Sequence, residues 1–271
     1  MPTIEVNGAT LYYEDTGPGS TGETIAFSHG LLWGTEMFAP QIEALRGRYR
    51  CIAWDHRGQG RSGADHRNTI GIELVWHDAL QLLERLGAGP VHFCGLSMGG
   101  FIAMRTAIFR PERVRSLLLI ETAADEEPRA NVGKYRMLAR VVKLLGPRAV
   151  MGRVLPIMLG KAILTDPARR PEVERFAALM SRRRDIWRAV HGVIDRAPVH
   201  GELDRITAPA LVVAGEEDIA IRPERAERLA AAIPGAKLVR IPRAGHSSTV
   251  EEPAAVTAAI EGFLATLPSI R

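Results

Sequence analysis

Short apolar runs alternate with helical patterns along the first part of the chain. Four runs have the length and composition of strands buried on both faces: Thr24–Ser28, Cys51–Trp54, Val91–Cys94 and Val114–Ile120. Helical spacing of apolar residues is found in three segments: Glu36–Leu45, Ile70–Leu86 and Met98–Arg110. Asn7-Gly8 within an alternating stretch predicts that the chain opens with a β-hairpin. Because strands joined by helices form right-handed crossovers, the pattern predicts an α/β fold with a mainly parallel, doubly wound sheet.

The alternation stops between residues 125 and 200, where the patterns are helical only: Lys134–Leu145, Val150–Leu159, Pro171–Met180 and Asp185–Ile194. It resumes with a strand, a helix, a strand and a helix: Ala210–Ala214, Pro223–Ala232, Lys237–Ile241 and Glu251–Leu264. We therefore predict a core formed by residues 1–124 and 201–271, with a helical cap inserted at 125–200. Such an insertion covers the carboxyl ends of the strands, where open α/β sheets bind ligands.

The composition is that of a globular protein, with 46% hydrophobic and 24% charged residues. No apolar run approaches the roughly 20 residues that span a bilayer, and the amino-terminal residues do not resemble a signal peptide. We therefore predict a cytoplasmic protein with no membrane partner. Cys51 and Cys94 lie in predicted strands and are expected to be buried, reduced thiols. No cluster of Cys and His has metal-ligand spacing, so no metal site is predicted.

The net charge of +4 is distributed unevenly. The segment from Arg129 to Arg205 contains 17 Lys and Arg against 7 Asp and Glu, so the rest of the chain is acidic. A basic segment attracts anionic ligands, membranes or nucleic acids. The positive residues are nevertheless spread along the segment, and aromatic residues are not interleaved with them as in a nucleic-acid platform. Solvated helix faces are the better interpretation, and no nucleic-acid partner is predicted.

One motif points to chemistry: Gly95-Leu96-Ser97-Met98-Gly99-Gly100. A Gly-x-Ser-x-Gly match alone is weak, because Gly and Ser are common in turns. Here it lies between a predicted strand and a predicted helix, where the serine occupies a sharp, strained bend with its hydroxyl exposed. The sequence therefore predicts a nucleophile elbow at Ser97.

A serine nucleophile needs an adjacent base, and an imidazole serves best when a carboxylate fixes its tautomer. His246 follows Gly245 in a loop after the last predicted strand. The loop after the preceding strand contains three acids, Glu216, Glu217 and Asp218, of which we select Asp218 because it lies furthest out on the turn. The order Ser97, Asp218, His246 is the one expected of an elbow-type hydrolase.

An acid, a His and a Ser also occur together in the loop Asp55-His56-Arg57-Gly58-Gln59-Gly60-Arg61-Ser62. These residues are too close in sequence to converge on one another. We therefore interpret this loop as a structural turn.

Together these motifs resemble the α/β-hydrolase superfamily over the whole chain. The resemblance rests on five stretches: His29-Gly30, Asp55-x-Arg57-Gly58-x-Gly60-x-Ser62, Gly95-x-Ser97-x-Gly99-Gly100, Gly215-x-x-Asp218 and Gly245-His246. The stretch from Phe93 to Gly100 is most similar to 3-oxoadipate enol-lactonases, and similar stretches occur in small carboxylesterases, cofactor-free haloperoxidases and carbon–carbon bond hydrolases. The basic cap, with Trp187 and Arg182-Arg183-Arg184, departs from the enol-lactonases and leaves the substrate open.

The resemblance implies hydrolysis of a small ester or lactone through an acyl-enzyme formed on Ser97, without a cofactor. The backbone N–H groups of Leu31 and Met98 are expected to hold the oxyanion. Four residues are candidates for lining an apolar substrate pocket: Trp33, Phe101, Met158 and Trp187. Carbon–carbon hydrolysis, thioester hydrolysis and perhydrolysis use the same triad and stay open, as does a ligand-binding receptor on a hydrolase fold. An anionic substrate and a homo-oligomer also stay open.

Overall fold

Eight strands form a single sheet in the computed structural model, which describes residues 2–268. The strands are β1 (Thr3–Val6), β2 (Ala9–Asp15), β3 (Thr24–Ser28), β4 (Arg50–Trp54), β5 (Val91–Leu96), β6 (Val114–Ile120), β7 (Ala210–Gly215) and β8 (Lys237–Ile241). Their order across the sheet is β1-β2-β4-β3-β5-β6-β7-β8. The opening hairpin is antiparallel and the strands from β4 to β8 are parallel, so the predicted mainly parallel sheet is confirmed.

The helices follow the predicted alternation, with differences at their ends. They are α1 (Ala39–Leu45), α2 (Ile72–Arg85), α3 (Met98–Phe109), α4 (Arg129–Leu145), α5 (Met151–Met158), α6 (Lys161–Thr165), α7 (Arg170–Met180), α8 (Trp187–Ile194), α9 (Pro223–Ala232), α10 (Ser248–Glu251) and α11 (Pro253–Leu264). The predicted last helix is divided at Glu252, because Pro253 lacks an N–H and keeps the preceding residue out of the helical region. The short helix α6 was not predicted.

The sheet separates two hydrophobic cores, one on each face. Neighbouring residues of β3 belong to opposite cores, Ala26 to one and Phe27 to the other, as the two-residue period of a strand requires. The first core contains residues of α2, α3 and α9, and the second contains residues of α1, α11 and the cap. Every residue of helix α3 except Phe109 is buried, and this burial holds the predicted elbow in the centre of the molecule.

Helices α4 to α8 lie between β6 and β7 in the chain. We call residues 125–200 the cap, and its division from the core stays a prediction; Met1 and residues 269–271 of the predicted core lie outside the described residues. The arginine run ties the cap to the core: Arg182 is hydrogen-bonded to Glu36, and Arg183 donates to the Ser62 carbonyl at 3.0 Å. At least part of the basic character of the cap therefore serves to dock it.

The loop after β4 is the structural turn that the sequence predicts. The Asp55 carboxylate is fully buried and accepts hydrogen bonds from the backbone N–H groups of Thr35, at 2.6 Å, and Arg61, at 2.7 Å. The Ser62 hydroxyl is bonded to the Asp55 carbonyl at 2.5 Å and accepts from the Tyr12 N–H. The Asp55 and Ser62 side chains therefore bind backbone groups of the loop and of its neighbours, which is a structural role.

Two further expectations concern single features of the chain. Cys51 and Cys94 are both buried and unpaired, as predicted, and burial raises the pKa of the Cys51 thiol to about 12. Within residues 2–268, none of the helices combines the length and the apolar character needed to cross a bilayer.

Candidate active site

Ser97 lies at the junction of β5 and α3 in a strained backbone conformation, with φ 52° and ψ −110°. Its N–H donates to the Ile120 carbonyl at 2.9 Å, and its own carbonyl accepts from the Thr122 hydroxyl at 2.9 Å. A Cβ atom at Gly99 would overlap the Ser28 carbonyl, so only glycine permits the close crossing of α3 and β3. The neighbouring strands thus hold the unfavourable conformation in place.

His246 and Asp218 are brought together by the loops that follow β8 and β7. The His246 Nδ1 atom lies 2.7 Å from Asp218 Oδ2, and both side chains are buried. The second carboxylate oxygen of Asp218 accepts from the N–H groups of Ala220, at 2.7 Å, and Ile221, at 2.9 Å. These bonds fix the carboxylate, which in turn fixes the imidazole ring with Nδ1 as the donor and Nε2 as the nitrogen that can accept a proton.

A cavity of about 130 Å³ has both Ser97 and His246 in its wall. The remaining wall comes largely from apolar side chains of α4, α5 and α8, together with Leu31, Leu32 and Phe101. Its polar exceptions, apart from Ser97 and His246, are Glu127, Tyr135 and Arg196. Side chains of the cap and the core therefore line one apolar chamber around the serine and the histidine.

The loop after β3 approaches the same cavity. His29 donates from Nδ1 to the Gly30 carbonyl at 2.7 Å and accepts from the His56 N–H at Nε2, and burial lowers its pKa, so the ring is neutral. Leu32 has a positive φ of 76° and donates its N–H to the Gln59 side chain. Leu31 lies on the cavity wall. Met98 is the first residue of α3, where an N–H has no acceptor within the helix.

The family model for the alpha/beta hydrolase fold matches residues 23–253. The chain belongs to the α/β-hydrolase family. A Variovorax paradoxus protein that carries the name carbamate hydrolase RutD is 31% identical, with 94% of this chain and 96% of that protein covered. The structure of an esterase from Thermogutta terrifontis has a TM-score of 0.88 at 29% identity, and the match covers 97% of this chain and 96% of the esterase. The structure of the enol-lactonase from Burkholderia xenovorans has a TM-score of 0.87 at 29% identity, and the match covers 97% of this chain and 100% of the enol-lactonase. The protein is a hydrolase, and its predicted resemblance to lactonases and esterases is confirmed.

Of the four predicted pocket residues in this α/β hydrolase, Phe101 and Met158 line the cavity and the two tryptophans do not. Trp33, in the loop after β3, is buried and contacts Phe176 edge-on, with ring centroids 5.4 Å apart. Trp187 is buried in the core on the cap side of the sheet, and it lines a separate pocket with His191 and Asp195. Residues four apart share one face of a helix, so Trp187, His191 and Asp195 lie together beside the face of α8 that lines the cavity.

Glu121 is a buried acid beside the site that the sequence analysis did not select. It follows β6 with a positive φ of 45°, and both of its carboxyl oxygens lie 2.8 Å from the Gly215 N–H. Its carboxyl group lies close to that of Asp218. Burial raises the pKa of Glu121 well above its ordinary value, and the charge of Asp218 adds to the effect. Since burial and a neighbouring acid both disfavour the charged form, Glu121 retains its proton.

Glu251 is a second buried acid that was missed. It accepts from the N–H groups on both sides of His246, those of Gly245 at 3.1 Å and Ser247 at 3.0 Å. It also accepts from the Gly160 N–H of the cap at 2.7 Å. One carboxyl group thus holds the histidine loop and joins it to the cap. An acid at a strand end or a helix end reads as a solvated residue in the sequence, and only the fold shows its burial.

Proposed function

We propose that this hydrolase cleaves carboxylic esters or lactones through an acyl-enzyme, with Ser97 as nucleophile, His246 as base and Asp218 as the group that orients it. The observation that carries the proposal is the presence of a serine on a strained elbow and an Asp-paired histidine in the wall of one apolar cavity. A serine hydroxyl is a weak nucleophile unless a base removes its proton. The free Nε2 atom of His246 is the candidate for that base.

In the first step the Ser97 oxygen attacks the substrate carbonyl while His246 takes the hydroxyl proton. Negative charge develops on the carbonyl oxygen, and the backbone N–H groups of Leu31 and Met98 are the proposed donors to it. One such donor lowers the barrier by about 3 kcal/mol. His246 then returns the proton to the leaving oxygen as the tetrahedral intermediate collapses to the acyl-enzyme.

In the second step His246 removes a proton from water, which attacks the acyl carbonyl and restores the Ser97 hydroxyl. The buried Asp218 carboxylate stabilises the imidazolium that forms in both steps. The raised pKa of Glu121 keeps a second negative charge away from this pair.

The cavity also supports a preference for short, apolar acyl groups. Its volume of about 130 Å³ is close to the roughly 150 Å³ of an apolar cavity that holds one benzene molecule. An acyl chain of about six carbons occupies a comparable space. Longer chains would extend beyond this apolar space.

The test is hydrolysis of p-nitrophenyl esters of increasing acyl length, with small lactones, by the wild type and by Ser97→Ala. We expect an optimum near six carbons and a loss of at least about 1,000-fold in kcat in the variant. Ser20→Ala, at an exposed serine, serves as the matched control and should retain full activity. Ester hydrolysis that survives in Ser97→Ala would overturn the proposal.

Carbamate hydrolysis is the second candidate, because a relative 31% identical to this chain carries that name. A carbamate has the same electrophilic carbonyl and needs no additional catalytic group. An aryl carbamate is therefore included with the esters and lactones. Turnover of the carbamate alone, abolished in Ser97→Ala, would favour this candidate over the ester hydrolase.

A further inference from the structure

Arg196 introduces a buried guanidinium into the otherwise apolar wall of the catalytic cavity. The residue follows α8 and is only 5% exposed. Its Nη1 atom donates to Glu127 Oε2 at 3.0 Å and to the Val193 carbonyl at 2.7 Å, and its Nε atom donates to the Asp125 carbonyl at 3.1 Å. The guanidinium carbon lies 4.4 Å from the centre of the Phe101 ring. The side chain is therefore held in one position.

One end of this guanidinium is left without an acceptor. Among residues 2–268, Arg196 Nη2 is buried and has no hydrogen-bond partner. Buried polar groups in folded proteins are nearly always hydrogen-bonded, and a charged donor is the costliest kind to leave unpaired. Because Arg196 also lines the cavity, a ligand bound there is the candidate acceptor for this nitrogen.

The location of Arg196 defines which part of a substrate it meets. Phe101, on which the guanidinium lies, is one turn after Ser97 on α3, or roughly 6 Å along the helix axis. A substrate bonded to Ser97 therefore reaches Arg196 with the far end of its acyl part. The intervening wall is apolar and suits methylene groups.

The surrounding charges favour an electron-rich group at this end of the cavity. Burial lowers the pKa of Arg196, the Glu127 carboxylate opposes the effect, and the nearby Arg225 and Arg105 add to it. Arginine nevertheless stays protonated in proteins. Arg225 and Arg105 are themselves paired with Asp125 and Glu73. The cavity end thus contains a cation that Glu127 contacts through one nitrogen only.

We propose that Arg196 is a specificity-determining residue that binds a carbonyl or carboxylate oxygen at the far end of the acyl part of the substrate. This inference rests on the proposed ester hydrolysis and adds a substrate class to it: an ester or lactone whose acyl chain has an apolar middle and an oxygen acceptor at its end. A neutral ketone and a carboxylate present the same acceptor, and the experiment separates them.

Three p-nitrophenyl esters of equal acyl length test the proposal: an alkanoate, its methyl-ketone analogue and the half-ester of the matching dicarboxylic acid. In Arg196→Met we expect kcat/KM for the two acceptor esters to fall about tenfold or more, mainly through KM, because the lost bond involves a charged donor. The alkanoate should change less than about threefold, because it makes no such bond. Arg136→Gln, at an exposed arginine of the cap, is the matched control and should leave all three values unchanged.

Glu127→Gln leaves Arg196 in place and should change kcat/KM for the dicarboxylate half-ester in the opposite direction to Arg196→Met. Removing the carboxylate from Arg196 Nη1 should raise kcat/KM for the dicarboxylate half-ester several-fold relative to the alkanoate. The ketone ester should change little, because it carries no charge. A purely structural ion pair would instead lower all three values together in both variants.

Equal losses for the three esters in Arg196→Met would overturn the proposal. If that variant does not fold, the double variant Arg196→Met with Glu127→Leu replaces both members of the buried pair. It should show the same selective fall in kcat/KM for the two acceptor esters. An outcome of equal losses is distinguishable from failure of the proposed function. If the wild type hydrolyses the alkanoate and Ser97→Ala does not, the proposed ester hydrolysis stands, whatever the ratios of kcat/KM among the three esters. Calorimetric binding of the alkanoic and keto acids to Ser97→Ala gives a readout that is independent of turnover, and equal affinities would also overturn the proposal.

Discussion

At the scale of single residues, the proton on Glu121 gives this enzyme a pH-dependent stability that can be measured. An unfolded Glu loses its proton near pH 4.3, whereas the folded protein retains it because the pKa of Glu121 is raised. Above that pH the native state therefore binds more protons than the unfolded state, and the free energy of unfolding falls as pH rises. Gln resembles the protonated acid and has no proton to lose. We expect the stability of Glu121→Gln relative to wild type to increase with pH, by up to about 1.4 kcal/mol per pH unit.

Denaturant unfolding of the two proteins at several pH values above 4 measures this difference directly. The raised pKa of Glu251 acts in the same direction in both proteins and cancels in the comparison. Glu84→Gln, at an exposed acid of α2, is the control and should show no comparable slope. A stability difference that does not change with pH would mean that Glu121 is ionised in the native state.

At the scale of elements, the loop that carries His246 depends on Glu251 for its position. The carboxyl group of Glu251 accepts hydrogen bonds from three N–H groups and uses both of its oxygens to do so. Gln offers one oxygen and turns an N–H donor towards a backbone N–H, which costs about 1–3 kcal/mol. We expect Glu251→Gln to lower kcat roughly ten- to hundredfold through displacement of the histidine, with a smaller change in KM.

Steady-state kinetics on the best ester, together with a melting curve, test the role of Glu251. The matched control is Glu252→Gln, because the next residue pairs with Arg243 at the surface and contacts no N–H group of the loop. Its kinetics should equal those of wild type. Comparable losses in both variants would show that helix α10, and not the carboxyl group of Glu251, maintains the loop.

The same elements show what a sequence can predict. Ser97, Asp218 and His246 could be selected because the carboxyl ends of parallel strands meet at one edge of the sheet, whatever the exact length of each strand. Trp187 could not be placed, because the periodicity of α8 does not say which of its apolar residues line the cavity. Its apolar character suggested the cavity, whereas the structure places Ile186 and Val190 there.

Buried acids escaped the sequence analysis for a related reason. Glu121 and Glu251 lie next to a strand end and within a short helix, where acids are ordinarily solvated. Their burial results from contacts with Gly215 and Gly160, which are far away in the sequence. Such distant contacts require the folded chain.

At the scale of the whole molecule, the shape of the cavity depends on how closely α8 docks against the core. Gly192 lies against the Ile70 carbonyl, and a Cβ atom there would overlap the carbonyl oxygen. The neighbouring residues Val190 and Val193 face the cavity. Gly192→Ala must therefore push α8 outward, and the cavity wall moves with it. We expect a loss of stability of about 1–3 kcal/mol, or a melting temperature lower by several degrees, from such overpacking.

The displacement of α8 should also change substrate choice, because an outward shift enlarges the chamber and moves the acyl-length optimum to longer chains. Gly152→Ala, within α5 of the cap, is the matched control, since its Cβ would have nothing within 4 Å. Replacing that helical glycine should stabilise the protein by up to about 1 kcal/mol and leave the optimum unchanged. If both variants kept the wild-type optimum and Gly192→Ala were as stable as Gly152→Ala, the chamber would be set by the core alone. A shifted optimum confined to Gly192→Ala would instead mean that cap docking sets the substrate range of this hydrolase, independently of the residues that perform the chemistry.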